Sequence, residues 1–233
     1  MPDVGQFSRD GFQLHRNVLS GVEVAELIDA IESAEHVHGR HRGNAQFAIR
    51  RLTEAVPRVA ELASHLAVSH IVREILGDTA RMVRSILFDK TAEANWTVPP
   101  HQDTTIAVEA RIDVPGFGPW STKAGVPHVQ PPREILESMV TLRLHLDDCP
   151  DDAGALLVIP GSYRRGILNA SEIAALSATA KFVTCPAAAG DCLVMRPLLM
   201  HASSPAAAPT HRRVVHLEFA SGDLPNGLKW HGG

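Results

Sequence analysis

Residues 99–105 read PPHQDTT and set a histidine and an aspartate one residue apart. In an extended strand alternate side chains point the same way, so His101 and Asp103 share a face and Gln102 takes the other. An imidazole nitrogen beside a carboxylate oxygen suits a divalent first-row metal ion. Two protein ligands seldom hold such an ion, so a third must arrive from elsewhere in the fold. RPLLMHASS places His201 at the end of an apolar run. Two histidines and one carboxylate on one side of a six-coordinate ion leave three adjacent positions open. That is the arrangement of non-haem Fe(II) oxygenases, whose open positions take a cosubstrate and O2.

Beyond His201, Arg212 opens the run RRVVHLEFA. A guanidinium near a metal can clamp a carboxylate through two parallel hydrogen bonds, as an oxoacid chelated to iron at its other end requires. Arg213 is the rival, because a one-residue slip exchanges the faces of a strand. Arg213 alternates with Val215, Leu217 and Phe219, the pattern of a face packed on apolar neighbours. Arg212 alternates with His216 and Glu218, the pattern of a polar pocket, and is the expected clamp.

The elements that position these residues change character along the chain. SGVEVAELIDAIESA sets Ser20 and Glu23 in capping-box spacing, with Leu27, Ile28 and Ile31 on one face of a helix. A second helix is expected from about Pro57 to Leu76, with Val59, Leu62, Leu66 and Ile75 at helical spacing and Gly77 as its stop. From about residue 81, RMVRSILF, TIAVEARI, MVTLRLHL, ALLVIP, CLVM and RRVVHLEFA read as short strands between Pro, Gly and Asp clusters. Helices first and strands after predict an α+β fold, a mainly β barrel or sandwich backed by N-terminal helices. Asp113 to Pro132 is rich in Pro and Gly and reads as a lid or binding loop. Pro99 and Pro100 are expected to end the loop before the ligand strand. AAGD, Ala188–Asp191, reads as the turn into the strand that carries His201.

At 233 residues the chain has room for one sizeable core, and its net charge of −4 comes without a basic stripe, against a nucleic-acid or anionic-membrane partner. Cys149, Cys185 and Cys192 form neither a CxxC pair nor an even disulfide set, and read as small core residues. The first ten residues lack a signal-peptide pattern and no apolar run reaches spanning length, so a cytoplasmic protein is expected.

Four segments in order, HQD, GALLVIPGSYRRG, AGDCLVMRPLLMHASS and HRRVVHLEFAS, resemble the phytanoyl-CoA dioxygenase family of Fe(II)/2-oxoglutarate-dependent oxygenases. The resemblance runs from about Val83 to Ser221, and SRDGFQLHRNVLSGVEVAEL also looks like the family's opening. It implies one oxygenase domain over 1–233: helical support over 1–80, then a double-stranded β-helix (jelly roll) over 81–222 with a lid loop at 113–132. His101, Asp103 and His201 match the family's iron ligands, Arg212 its 2-oxoglutarate arginine, and Ser203 a hydroxyl that bonds the same carboxylate. The cofactors implied are Fe(II), 2-oxoglutarate as cosubstrate and O2, with succinate and CO2 as products and hydroxylation of a small or medium organic molecule as the reaction. Halogenating relatives lack the carboxylate that Asp103 supplies. Tyr163 stands where relatives often have histidine, and GALL replaces a more usual Asn-Gly start. The 113–132 segment looks unlike that of acyl-CoA hydroxylases, and no patch for CoA phosphates is evident.

Among the remaining residues, Trp96 and Trp120 flank the mouth and are candidate pocket walls. Arg143, in the alternating run Thr141 to Leu146, is a candidate substrate or cosubstrate contact if its face looks inward. Arg111, Lys123 and His128 are candidates for an anionic substrate, and Lys90 for a pocket residue. His36, His38 and His41 sit beside Arg40 and Arg42, whose charge disfavours a cation. The alternatives are a cupin-like metalloenzyme without 2-oxoglutarate and a non-catalytic jelly-roll binding module. Substrate identity, the choice among hydroxylation, desaturation, epimerisation and cyclisation, the order of the 113–132 loop and the oligomeric state stay open.

Overall fold

The computed structural model describes residues 4–38, 40–42, 45–208 and 210–232, with the backbone alone described for 4, 35–38, 40–42 and 45–47. The side chains of His36, His38 and His41 therefore lie outside the described residues.

The N-terminal region contains helices α1 (Val4–Asp10), α2 (Gly21–His38), α3 (Leu52–Ala55), α4 (Pro57–Ala60) and α5 (Leu66–Leu76). It also contains strands β1 (Phe12–His15), β2 (Arg40–Arg42) and β3 (Ala45–Arg50), so it is less purely helical than its sequence suggests. The Ser20 capping box forms: the Ser20 backbone N–H donates to the Glu23 carboxylate at 2.8 Å, and the Glu23 N–H to Ser20 Oγ at 3.3 Å. Leu27 and Ile31 are buried and Ile28 packs beside them.

The helix expected from Pro57 to Leu76 is broken. α4 runs into a 3-10 turn at Glu61–Ala63, and α5 starts afresh after an extended His65. His65 Nε2 meets Glu23 Oε1 at 3.0 Å, which ties the break to the start of α2. The break turns Leu66, 84% exposed, to solvent, while Val68, Ile71 and Val72 are buried. Pro57 does occupy the first turn of α4, and Gly77, at φ 81°, ends α5.

The remaining strands are β4 (Ala80–Lys90), β5 (Val98–His101), β6 (Ile106–Ala107), β7 (Trp120–Lys123), β8 (Val126–Val129), β9 (Met139–His145), β10 (Leu156–Val158), β11 (Val183–Cys185), β12 (Cys192–Met195), β13 (His201–Ser203) and β14 (Arg212–Ser221). Short helices α6 (Arg133–Glu137) and α7 (Ala170–Thr179) lie between them. Seven strands form one antiparallel sheet, ordered β1-β12-β9-β14-β4-β3-β2, and four form another, ordered β11-β10-β13-β5. Phe12, Leu193 and Met195 of the larger sheet pack with Leu156, Val158 and Cys185 of the smaller. The result is the expected jelly roll.

Period-two alternation along β9 and β14 serves two environments. Leu142, Leu144, Val215, Leu217 and Phe219 pack in one cluster with Leu27 and Ile31 of α2 and Val68, Ile71 and Val72 of α5. The other face, with Arg143, Arg212, His216 and Glu218, looks into a cleft between the two sheets.

Four local readings change. Asp113 to Pro132 is not structureless: β7 and β8 form a hairpin that joins β6 in a third sheet. The two turn residues, Ala124 (φ 52°) and Gly125 (φ 80°), both take positive φ as a tight hairpin requires, and alanine seldom does so, which hides the turn in the sequence. Of TIAVEARI only β6 and a single bridge from Val108 to Trp230 are extended. Pro99 and Pro100 lie inside β5 rather than before it; β5 is the edge of its sheet, where a missing N–H is tolerated. The AAGD turn leads into β12, and the segment 196–200 separates β12 from the His201 strand. The cysteines are buried and unpaired, and among the described residues no helix is long and apolar enough to cross a membrane.

Candidate metal centre and cosubstrate pocket

β5 and β13 pair antiparallel with His101 directly opposite His201. Their ring centroids lie 4.1 Å apart. Asp103 follows the end of β5 and its backbone N–H donates to the Pro197 carbonyl at 2.9 Å. His101 Nε2 is 3.8 Å from one carboxylate oxygen of Asp103, and His201 Nε2 is 3.7 Å from the other. One donor atom from each of the three residues falls within 4.8 Å of the others.

Both rings are oriented by the same device. His101 Nδ1 contacts the Pro99 carbonyl and His201 Nδ1 the Leu199 carbonyl, each at 2.8 Å. A carbonyl can only accept, so each Nδ1 carries the proton and each Nε2 presents a lone pair toward Asp103. Burial lowers the His201 pKa to about 4, against the pull of Asp103, so the ring is neutral and ready to ligate. Burial would raise the Asp103 pKa, but His201, His216, His101 and Arg84 outweigh it and hold the group below the usual carboxylate range. Two imidazoles and an ionised carboxylate fit a divalent first-row ion.

Gln102 takes the opposite face and is fully engaged there. Its Nε2 donates to the Gly166 and Leu198 carbonyls at 2.8 and 2.7 Å, and its Oε1 accepts from the Leu168 N–H at 2.8 Å. One buried amide thereby joins the HxD turn to the chain that leads into His201.

The cleft around these ligands has a volume of about 220 Å³ and is lined by Trp96, Arg143, Ser203, Arg212, His216 and Glu218 among others. Cross-strand register builds its polar wall. Glu218 sits opposite Arg84 and His216 opposite Arg143. Arg84 donates to Glu218 at 2.9 Å, His216 Nε2 meets the same oxygen at 3.2 Å, and Arg143 lies 3.3 Å from His216 Nδ1. Since arginine only donates, His216 Nδ1 accepts and its Nε2–H donates to Glu218.

The far end of the cleft carries an excess of positive charge. Arg212 lies directly opposite Lys90 in the β14–β4 ladder, and both are buried. Like charges opposite one another destabilise a sheet unless an anion sits between them. Lys90 donates to Ser203 Oγ at 2.8 Å and lies 5.5 Å from the Trp96 ring centroid. Burial first, and then the charge of Arg212, lower the Lys90 pKa to about 7. Arg212 Nε is buried without a hydrogen-bond partner among the described residues. A paired cation set, a hydroxyl and an orphaned guanidinium N–H suit a carboxylate.

Arg213 faces away. It grips Asp147 through two bonds of 3.0 and 2.9 Å and reaches Glu32 of α2 at 2.7 Å. Trp96 and Arg143 line the cleft, but Trp120 and Arg111 do not. Arg111 stacks 5.4 Å over the Trp120 ring and pairs with Asp113 at 3.0 Å. Arg84 carries no clear sequence signal, because strand alternation puts it on the same face as the apolar Met82 and Ile86.

The family model for phytanoyl-CoA dioxygenase (PhyH) matches residues 7–214. No curated protein sequence matches the chain. Among solved structures, it resembles the non-haem α-ketoglutarate-dependent carbocyclase SnoK from nogalamycin biosynthesis, with a TM-score of 0.73 at 17% identity over 99% of this chain and 85% of that one. AviO1 from Streptomyces viridochromogenes Tue57 gives 0.69 at 22% identity, over 95% of each chain. HygX from Streptomyces hygroscopicus, solved with nickel and 2-oxoglutarate bound, gives 0.68 at 16% identity over 94% of this chain and 87% of that one.

Proposed function

Because the chain belongs to the phytanoyl-CoA dioxygenase family, and so is a non-haem Fe(II)/2-oxoglutarate-dependent enzyme, we propose that it hydroxylates an unactivated C–H bond of a small or medium organic molecule. His101, Asp103 and His201 would hold Fe(II), and Arg212 and Ser203 the distal carboxylate of 2-oxoglutarate. The observation that carries this reading is the pairing of two sites in one cleft: three convergent donors at one end and, at the other, buried Arg212 with an orphaned N–H beside Ser203, whose hydroxyl accepts from Lys90.

When bound, the iron and its cosubstrate supply the oxidising power, with 2-oxoglutarate and O2 consumed and succinate and CO2 released. The chain's own residues supply orientation. The Pro99 and Leu199 carbonyls hold both imidazoles with Nε2 toward the ion. Arg212 and Lys90 favour a dianion over a neutral molecule, and Ser203 gives the carboxylate a further hydrogen-bond partner. Arg84 and Arg143 hold Glu218 and His216 against the wall, which leaves the two acceptors satisfied. Trp96, Phe88 and Leu156 make the remaining lining apolar and limit water near the reacting bond.

Asp103 favours hydroxylation over halogenation, because its carboxylate fills the position a halide would need. A cupin-like enzyme without 2-oxoglutarate has no use for the Arg212–Lys90 pair, and a binding module has no use for both sites. A cytoplasmic location fits the reduced cysteines.

The test is O2-dependent release of CO2 from 1-labelled 2-oxoglutarate by the Fe(II)-loaded protein, with succinate counted in parallel. Equimolar products, lost in Asp103→Ala and His201→Ala, support the reading. Iron binding without cosubstrate turnover would sink it.

A further inference from the structure

Beside the metal cleft lies a second, much smaller hollow of about 40 Å³, bounded by β4, the β7–β8 hairpin and the start of α3. Arg84 and Ile86 line both clefts and so form a shared wall. A molecule seated in the second hollow is therefore separated from the metal cleft by the side chains of Arg84 and Ile86.

The chemistry of this cleft is unusual for a surface hollow. Lys123 reaches into it from β7 and hydrogen-bonds only the Thr105 hydroxyl, at 3.0 Å. Among the described residues no carboxylate forms an ion pair with Lys123; burial, and then the charges of Arg84 and Arg50, disfavour its ammonium form, only partly offset by Asp103 and Glu218. An oxyanion would relieve that imbalance. His128, 3% exposed, lines the same hollow from β8. Its Nδ1 donates to the Val126 carbonyl at 3.0 Å, so Nε2 carries the lone pair, and it has no partner among the described residues. Burial lowers the His128 pKa to about 4, with Arg84, Lys123 and Arg50 adding to the effect, so the ring stays neutral. The hollow thus offers Lys123, Arg84 and one bare acceptor; Arg84 also holds Glu218, and Glu54, which lines the hollow too, pairs with Arg51 at 3.3 Å. Its complement is an anion that also brings an O–H.

We propose that this cleft is a substrate-anchoring subsite for a phosphate or carboxylate group that carries or adjoins a hydroxyl, with the anion on Lys123 and Arg84 and the O–H donated to His128 Nε2. That the bound molecule is a substrate rests on the reading of the neighbouring centre as a 2-oxoglutarate oxygenase; the binding itself does not. The hairpin, through Lys123 and His128, then sets which molecules the iron meets.

Inorganic phosphate and sulfate separate the two parts of the proposal, because at neutral pH phosphate keeps a P–OH and sulfate has none. Each would be titrated calorimetrically, at constant ionic strength, into metal-loaded protein saturated with 2-oxoglutarate. Phosphate is expected to bind about tenfold tighter than sulfate, from the one extra hydrogen bond to a buried acceptor. Lys123→Gln should weaken phosphate by at least about tenfold. His128→Phe should remove the preference for phosphate, and if that variant misfolds, glycolate against acetate on the native protein asks the same question. Acetate and glycolate also distinguish a carboxylate ligand from a phosphate one. Absence of saturable binding, binding unchanged in Lys123→Gln, or an ion displaced by 2-oxoglutarate would each overturn the proposal. A protein that binds phosphate in this way but not 2-oxoglutarate would leave the subsite standing and remove the reading of the centre.

Discussion

Lys90 and Gln102 work at the scale of single residues, one by charge and one by hydrogen bonding. The Lys90 pKa, lowered to about 7 by burial and by Arg212, lies well below the usual lysine value. As pH rises through about 7 the ammonium is lost, and the positive charge proposed to hold the cosubstrate carboxylate falls to Arg212 alone. The affinity for 2-oxoglutarate should therefore decline between about pH 7 and 9, and Lys90→Met should give a weaker but flatter profile. Equilibrium titrations at several pH values read this directly. Gln102 satisfies two carbonyls and one N–H that would otherwise be buried unpaired. Gln102→Leu should lower stability by about 1–3 kcal/mol in a denaturant melt. It should also weaken metal binding by about tenfold or more, since the ligand turn loses its anchor.

At the scale of elements, β14 gives adjacent arginines opposite tasks through strand alternation alone. Arg213 joins the barrel to α2 through Asp147 and Glu32, whereas Arg212 enters the cleft. Arg213→Met should lower the unfolding free energy by about 2–3 kcal/mol and leave the 2-oxoglutarate dissociation constant within about twofold. Arg212→Met should do the reverse, with small stability change and at least about tenfold weaker cosubstrate binding. A denaturation series and a binding titration on the same pair of variants decide it. The strand periodicity that separates these roles is visible in RRVVHLEFA, as is the capping box that starts α2. What escaped the sequence depends on tertiary context. The turn at Ala124–Gly125 puts alanine in a left-handed conformation, and His65 breaks a helical pattern to reach Glu23. The prolines of β5 are compatible with a strand only because it is a sheet edge. Pairings such as Arg84 with Glu218 follow from register, which hydrophobic pattern alone leaves open.

At the scale of the whole molecule, burial within the fold, in the cleft between the two sheets and under the β7–β8 hairpin, keeps several histidines neutral. The folded-state pKa values of His128, His145 and His201 lie at about 4, 3 and 4, each lowered chiefly by burial. An unfolded chain protonates the same rings near pH 6.5. Between those limits the unfolded state binds more protons, so stability rises with pH in that window and is lost as pH falls through about 6.5 toward 4. The melting temperature of the metal-free protein should fall steadily over that range. A flat profile would mean that the rings are exposed in solution.

The central claim is that one cleft holds both a metal ion and 2-oxoglutarate, the ion on His101, Asp103 and His201 and the carboxylate on Arg212. It is tested most directly by titrating Fe(II)-loaded protein with 2-oxoglutarate under anaerobic conditions and following the weak visible charge-transfer band of bidentate chelation. The account predicts a saturable band, absent in His201→Ala and requiring more cosubstrate in Arg212→Ala. Iron bound without any such band would contradict it.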